Sequence, residues 1–486
     1  MASGDGGEGR SRRDSNEFDS ASKRKRPQSP SRNNEELPVP YDAKSLEPAK
    51  KRHRSNSPGG DASAARKPKR PGQRARITDA EREAIRQRAL DRERAAKEQA
   101  AAEEERNRIN DVVRSHYNAV PERGREWRKT DSRIKGLRSF NNWIKSCIIQ
   151  KFSPDEDFQP GGGGGHSLLV LDIGCGKGGD LGKWQQAPQS VDLYVGLDPA
   201  DVSIEQARDR YREMSSRGGR GGRGGRGGHR RPPPRIFDAR FHVKDCFGES
   251  IGDIEVVRQV GYDASGHNRE RGFDIVSMMF CMHYAFENEQ KARNMLKNVA
   301  SSLKKGGRFL GCIPNSDVIT KKVREHNERL KKKADAKASG EEEADKPHAK
   351  SDETEDGELE EGEPAGFAEW GNDIYRVRFP GKTPEDGIFR PPFGWKYNFF
   401  LHEAVEEVPE YVVPWEAFRA LAEDYNLELQ YHKCFRDIWE AEKDDRVLGP
   451  LSERMGVRSR QNGELLVSDE ELEAANFYVG FCFYKV

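Results

Sequence analysis

Four glycines stand between two carboxylates in Asp172-Ile173-Gly174-Cys175-Gly176-Lys177-Gly178-Gly179-Asp180, directly behind the apolar pair Val170-Leu171. A strand ending in such a turn bares backbone N–H groups. With no Cβ atoms in the way, the chain can approach a ligand closely. The chemistry on offer is the holding of a nucleotide-like cofactor. Downstream, Tyr194-Val195-Gly196-Leu197-Asp198 reads as the next strand. Its terminal acid lies near the spacing at which a carboxylate hydrogen-bonds ribose hydroxyls. NAD enzymes, S-adenosylmethionine methyltransferases and bland α/β domains all carry glycine-rich turns. The flanking acids separate them. A pyrophosphate seated at a helix N-terminus is poorly served between Asp172 and Asp180, whereas an amino group and a sulfonium suit that setting. From these residues alone a methyltransferase is favoured over an NAD enzyme.

The elements that must position this turn follow an α/β rhythm. Phe241-His242-Val243 is a short strand ending at Asp245-Cys246, and Phe273 to Phe280 is an apolar central strand. Glu287 to Leu303 carries Ala292, Met295, Leu296, Val299 and Leu303 at helical spacing. Lys305-Gly306-Gly307 ends that helix, and Arg308 to Pro314 is the next strand. Strand, helix, strand in this order predicts a parallel sheet with crossover helices. Later segments read as strands at Tyr375–Phe379, Trp395–Leu401 and Phe477–Tyr484, with a helix from Pro414 to Tyr425. The expected fold class is a doubly wound, mostly parallel α/β sheet of the Rossmann-like methyltransferase type with late antiparallel strands, in one domain.

The chain has 486 residues, with 84 basic and 83 acidic side chains, but the even balance hides segregation. Residues 1–75 are rich in Ser, Pro, Gly, Lys and Arg and too poor in apolar residues to offset ordering entropy. They are expected to form a disordered basic tail. Its clusters Lys23-Arg24-Lys25-Arg26, Lys50-Lys51-Arg52-His53-Arg54 and Lys67-Pro68-Lys69-Arg70 read as nuclear import signals or nucleic-acid contacts, or as a merely solvated tail. Residues 76–110 read as a charged helical linker with almost no apolar stripe. The folded domain is expected at 111–486, with insertions at 216–234 (Arg-Gly-Gly repeats, then prolines) and 331–364 (basic, then acidic) that should form neither helix nor strand. The seven cysteines include no CxxC pair, which argues against a metal site or a disulfide framework. No apolar run approaches the roughly 20 residues of a membrane span, so no membrane association is expected.

Four stretches resemble one family, the eukaryotic (fungal-type) mRNA cap guanine-N7 methyltransferases: Arg138-Ser139-Phe140-Asn141-Asn142-Trp143-Ile144-Lys145-Ser146, Leu171 to Leu181, Met282-His283-Tyr284-Ala285-Phe286-Glu287, and Val408-Pro409-Glu410-Tyr411-Val412-Val413. The resemblance runs from about Val112 to Val486 outside the two insertions. It implies S-adenosyl-L-methionine as cofactor, with Lys145, Gly174, Asp198, Asp245 and Tyr284 binding it. It also implies a cap site of Asn141, Asn142, Lys177, Lys183, Arg210, His283, Glu410 and Tyr478. Within that site Glu410 accepts from the guanine Watson–Crick edge, His283 reaches O6, and Lys177, Lys183 and Arg210 neutralise the triphosphate. Tyr117 is a further stacking candidate. One departure stands out: Met279 occupies a position where animal members carry Gln, so a polar cofactor contact is absent or replaced by packing. The implied partners are 5′-capped mRNA and, beyond it, the capping guanylyltransferase and triphosphatase and phosphorylated RNA polymerase II. The implied compartment is the nucleus.

Each of these residues also has a plainer reading. Asp245 reads as a strand-end cap, Lys145 as a surface lysine, His283 as a satisfied structural histidine, Glu410 as an exposed turn residue and Tyr478 as sheet packing. N7 of guanine has an in-plane lone pair and no proton, so no catalytic acid or base is expected and every site residue binds or positions. Two rivals remain. One is a methyltransferase with another acceptor, although Phe280-Cys281-Met282-His283 replaces the Asn/Asp-Pro-Pro-Tyr/Phe motif of amine-directed enzymes. The other is a non-catalytic RNA-binding protein on a decayed methyltransferase fold.

Overall fold

A computed structural model describes residues 79–119, 127, 130–160, 166–219, 236–265, 270–339 and 367–486. The expectations for residues 1–75, and those for most of the two insertions, fall outside these residues.

Helix α1 (Asp79–Ala119) is one continuous helix of 41 residues. The boundary expected between linker and domain at 110/111 therefore falls inside an unbroken helix. The next helix, α2 (Lys135–Phe152), buries Phe140, Trp143, Ile144, Ile148 and Ile149. Burial of each such side chain contributes about 1.5–3 kcal/mol. The Trp143 indole N–H also donates to the Leu448 carbonyl at 2.9 Å, so this buried polar atom is paired.

Then come β1 (Leu168–Ile173), α3 (Leu181–Trp184), β2 (Val191–Asp198), α4 (Asp201–Gly219), β3 (Asp238–Val243), α5 (Glu255–Val260) and β4 (Phe273–Met279). A 3₁₀ turn (Met282–Glu287) leads to α6 (Glu289–Ser302), β5 (Leu303–Pro314) and α7 (Ser316–Ser339). The remaining elements are β6 (Glu369–Gly371), β7 (Tyr375–Arg378), β8 (Lys396–Leu401), β9 (Val405–Tyr411), α8 (Trp415–Glu423), β10 (Leu427–Cys434), α9 (Phe435–Glu442), α10 (Leu448–Met455), α11 (Asp469–Ala475) and β11 (Tyr478–Lys485).

The main sheet has seven strands in the order β10-β11-β5-β4-β1-β2-β3. Its pairs from β3 to β5 are parallel, and β11 runs antiparallel to β5 and to β10. The doubly wound expectation holds. Every residue of β4 is buried, as a central parallel strand covered on both faces requires. The strand order reverses between β1 and β4, so the carboxyl ends of these strands form the crevice in which α/β folds hold ligands.

Three local expectations need correction. The late strands do not all join the main sheet: β6-β7-β8-β9 form a separate antiparallel sheet. The strand read at Arg308 begins at Leu303, because Gly306, with φ +83°, lets the chain bend within β5 rather than before it. Both insertions begin as helix, since α4 reaches Gly219 and α7 reaches Ser339. Helix propagation carries a few unfavourable residues past the packed part at little cost per residue.

Candidate active site

The glycine turn between β1 and α3 is tied to the end of β2. Gly174 and Cys175 N–H donate to the Leu197 carbonyl at 2.7 and 3.1 Å. Asp198 closes the tie, its Oδ2 accepting from Gly176 N–H and its Oδ1 from Ala200 N–H, both at 2.9 Å. Burial raises the Asp198 pKa despite these donors. Gly174 has φ +71°, and a Cβ there would lie 2.5 Å from Cys281 Sγ. At Gly176, φ +51°, a Cβ would meet nothing within 4 Å. The backbone is therefore fixed behind Gly174 and faces open space at Gly176.

That space is a cavity of about 540 Å³ at the carboxyl edge of the sheet, within the range of small-molecule sites. Lys145, Gly174, Asp198, Asp245 and Tyr284 all line it, as do Lys177 and Arg210. All five expected cofactor residues therefore meet in one place. Asp245 serves its plainer role as well, since its Oδ1 accepts from Phe247 and Gly248 N–H at 2.9 and 3.0 Å. Met279 lines the wall too and lies 3.8 Å from Cys312 Sγ through its sulfur, so packing stands where a polar group was in question.

The two acids flanking the glycines part company. Asp180 lines the cavity and is held by Lys145 at 2.9 Å and Lys183 at 2.8 Å. Burial opposes its charge, but the two ammonium groups hold its pKa well below the carboxylate range. Asp180 has the converse effect on Lys145: burial disfavours the ammonium, yet the ion pair leaves its pKa raised. Asp172 does not line the cavity. It is buried beneath it, accepting from Tyr194 Oη at 2.6 Å and Ser277 Oγ at 2.7 Å. The reading of Asp172 as a ligand-facing acid is corrected: its position inside β1 turns it into the sheet.

Beyond Tyr284 lies a second constellation. Glu410 sits on β9 and is 4 % exposed, so it is no turn residue. Its Oε2 accepts from Tyr397 Oη at 2.9 Å, and its Oε1 lies 3.4 Å from His283 Nε2. His283 is 2 % exposed, and neither ring nitrogen has a hydrogen-bond partner among the described residues. The expectation of a satisfied structural histidine is thus not met. Tyr117, near the end of α1, reaches into this region. Its hydroxyl is 3.0 Å from that of Tyr284, and burial, then the nearby charge of Glu410, raises its pKa. Tyr478 is buried beside them, edge-on to Phe280 at 4.8 Å, which also meets its packing alternative.

Phe280 and Tyr397 were missing from the expected site, whereas Asp180, read as one of the acids flanking the glycines, does line the cavity. Phe280 links the two constellations: its ring lies 5.2 Å from Lys145 Nζ and against Tyr478. It has φ +66°, a conformation costing roughly 1–3 kcal/mol for a bulky side chain and typical of functional sites. Only its place at the end of a largely apolar strand hinted at it. Tyr397 carries no sequence signal at all. The residues the expectation grouped with the cap site are not all in one cavity. Asn142 and Lys183 line a neighbouring groove, bonded to each other at 2.7 Å, and Asn141 has a buried Oδ1 with no partner among the described residues.

Among the described residues, Asp155, His166 and Asp274 are the group with metal-ligand types within reach of one another. The Lys304 ammonium pairs with Asp274 and lies 3.9 Å from Asp155, so a cation from the chain itself already serves these acids.

A model of the mRNA (guanine-N(7))-methyltransferase domain matches residues 99–336 and 357–486. The chain belongs to this family. It is 72% identical over 449 residues to the mRNA cap guanine-N(7) methyltransferase of Pyricularia oryzae, covering 92% of this chain and 91% of that one. Its counterpart in Aspergillus clavatus is 56% identical over 457 residues (89% and 79%), and that of Schizosaccharomyces pombe 44% over 375 residues (77% and 82%). The reaction is methylation of N7 of the mRNA cap guanine, with S-adenosylmethionine as methyl donor. The family match begins within α1, so the end of that helix carrying Tyr117 is part of the enzyme domain. No helix among the described residues is long and apolar enough to cross a membrane.

Proposed function

We propose that the cavity at the glycine turn takes S-adenosylmethionine on Lys145, Gly174, Asp198, Asp245 and Tyr284, and that His283 and Glu410 read the cap guanine beyond it. The observation that carries this reading is the buried Glu410–His283 pair. A carboxylate oxygen and two unpartnered imidazole nitrogens stand together in a dry site. Guanine offers two N–H donors at N1 and N2 and an acceptor at O6, which such a set complements. Buried polar groups left unpaired cost about 1–3 kcal/mol each, so this pocket favours guanine over adenine.

The chain's residues fit the donor. Gly176 leaves room for close approach, and Asp198 at the end of β2 and Asp245 just past the end of β3 put carboxylates at the cavity wall. S-adenosylmethionine supplies a methyl group on a sulfonium, poised for in-line displacement by N7. The protein's task is to hold N7, methyl carbon and sulfur in line. Glu410 and Tyr397 fix the in-plane position of the base, and His283 fixes its O6 edge. The joined hydroxyls of Tyr117 and Tyr284 wall the passage between the two sites against water. With no proton to remove from N7, no side chain acts as acid or base. Lys177 and Arg210 stand at the cavity and Lys183 and Asn142 at the adjoining groove, where a triphosphate leads away from the base. Asn141 and Tyr478 complete the cap site in this reading.

Capped mRNA is the macromolecular substrate. The basic clusters of residues 1–75 support a nuclear enzyme working beside the capping triphosphatase and guanylyltransferase and phosphorylated RNA polymerase II. The test is incubation of purified protein with methyl-labelled S-adenosylmethionine and GpppA-capped RNA, then identification of the labelled nucleoside. Label on cap guanine N7 is expected. Label on another atom moves the acceptor, and cofactor binding without transfer returns the decayed-fold alternative.

A further inference from the structure

A groove of about 980 Å³ adjoins the cofactor cavity between α2 and α10, and the two share Arg138 and Gly179 as lining residues. Lys135, Arg138, Lys183 and Arg454 line it, against the one acid Glu453. Glu453 is already paired with Arg458 at 3.2 Å. Lys135 and Arg454 are exposed, and among the described residues neither forms a salt bridge. No aromatic ring is among its lining residues, while Met455 and Leu466 give part of one wall an apolar surface.

We propose that this groove is the track for the RNA chain downstream of the cap, held by its phosphates. The proposal rests on the cap-site reading above, which places the triphosphate at Lys183. Three observations lead there. The groove begins where that triphosphate must leave the cofactor cavity, at Arg138, Gly179 and Lys183. Its unneutralised charge is positive, which suits a polyanion. Its lining lacks the stacking platforms that single-stranded nucleic-acid readers use to hold bases. A track of this kind holds ribose and phosphate without regard to sequence, as an enzyme acting on every transcript requires.

Lys135 and Arg454 are the residues to change, because both are exposed, neither touches the cofactor cavity, and their loss leaves the core intact. The double variant Lys135→Gln/Arg454→Gln is compared with wild type on the dinucleotide GpppG and on capped RNA of about ten nucleotides. Each lost phosphate contact on a single strand removes about 0.7 from the salt slope of log affinity, about 1.4 for the pair, and weakens binding about tenfold near 0.15 M salt. The expected result is therefore a tenfold higher KM on capped RNA with the shallower slope, an unchanged KM on GpppG and an unchanged melting temperature. Equal losses on both substrates would assign the residues to the cap site and overturn the track. Unchanged KM on both would overturn it as well. Lost binding of a phosphorylated polymerase peptide, with RNA kinetics intact, would give the groove to an acidic protein segment instead. Glu410→Ala on GpppG serves as the separate control: full activity there defeats the cap-site reading, whereas the salt slope of the double variant speaks only to the track.

Discussion

Two carboxylates on opposite sides of Tyr284 live in contrasting surroundings. Asp198 has both oxygens committed to backbone N–H groups of its own strand end and glycine turn. Glu410 has one oxygen held by Tyr397, 13 residues away on the neighbouring strand, and the other beside a histidine that bonds to nothing among the described residues. The first arrangement is complete before any ligand arrives, so it presents a preformed cradle. The second leaves buried polar atoms unpaired, which on the proposed reading a base of complementary pattern satisfies. On the proposed assignment the donor is held at the ends of strands of one sheet, whereas the acceptor is selected by a pocket that draws on a second sheet.

Breaking the second region should cost most. Glu410→Ala removes two hydrogen bonds to a charged acceptor, about 3–6 kcal/mol in all, and is expected to lower kcat/KM on a capped dinucleotide about 10³-fold. Calorimetric binding of S-adenosylmethionine should be unaffected. The reverse pattern is expected of Asp198→Ala: cofactor Kd rises about 100-fold, since the proposed ribose contact and the pin on Gly176 go together. If both variants lost cofactor affinity alike, the two regions would not be separable. Tyr397→Phe leaves Glu410 without its only hydrogen-bond donor among the described residues and should cost about tenfold in kcat/KM on GpppG, with competition by the guanine-free dinucleotide ApppA relatively stronger.

The smallest effect sits beneath the cradle. Burial, then the negative charge of Asp180, raises the Asp172 pKa from its ordinary 3.8 to about 7, against the donors Tyr194 and Ser277. The fold thus favours the protonated acid. Its contribution to stability is full below about pH 4 and is lost as pH rises through about 7. Asp180, whose pKa is depressed, titrates below this window. Asp172→Asn should flatten the profile of melting temperature against pH between 4 and 8. An unchanged slope would show that Asp172 is ionised throughout.

Legibility from sequence followed the range of the interactions. The glycine turn, Asp198 and Asp245 each end or follow a short strand, and those positions were readable from pattern, although the tie from Asp198 to Gly176 spans 22 residues. The parallel core was readable because β4 is apolar at every position but Asp274 and Ser277 and α6 shows helical spacing. The second sheet was not, for β6 is three residues long and β9 mixes exposed and buried positions, so neither carries a clean period. Asp172 was misread because a carboxylate at the end of an apolar run looks ligand-facing. Only the register of β1 against β4, pairing Asp172 with Ser277, turns it inward.

Family resemblance supplied His283 and Glu410 as names, but residue types alone left Glu410 an exposed turn acid and His283 a packed histidine. Strand β9, in a sheet separate from the one that carries the glycine turn, brings Glu410 to 3.4 Å from His283. The sequence by itself determined the glycine turn, the segregation of charge and the alternation of strand and helix that makes a parallel sheet, because those depend on propensity, backbone freedom and hydrophobic period over short windows. Tertiary structure alone decided which carboxylate has both oxygens bonded and which stands beside an unbonded histidine, that Phe280 lies between Lys145 and Tyr478, and that a basic groove adjoins the cavity. Most of those properties join side chains more than a hundred residues apart in the chain, whose meeting is set by packing and pairing and by no local preference.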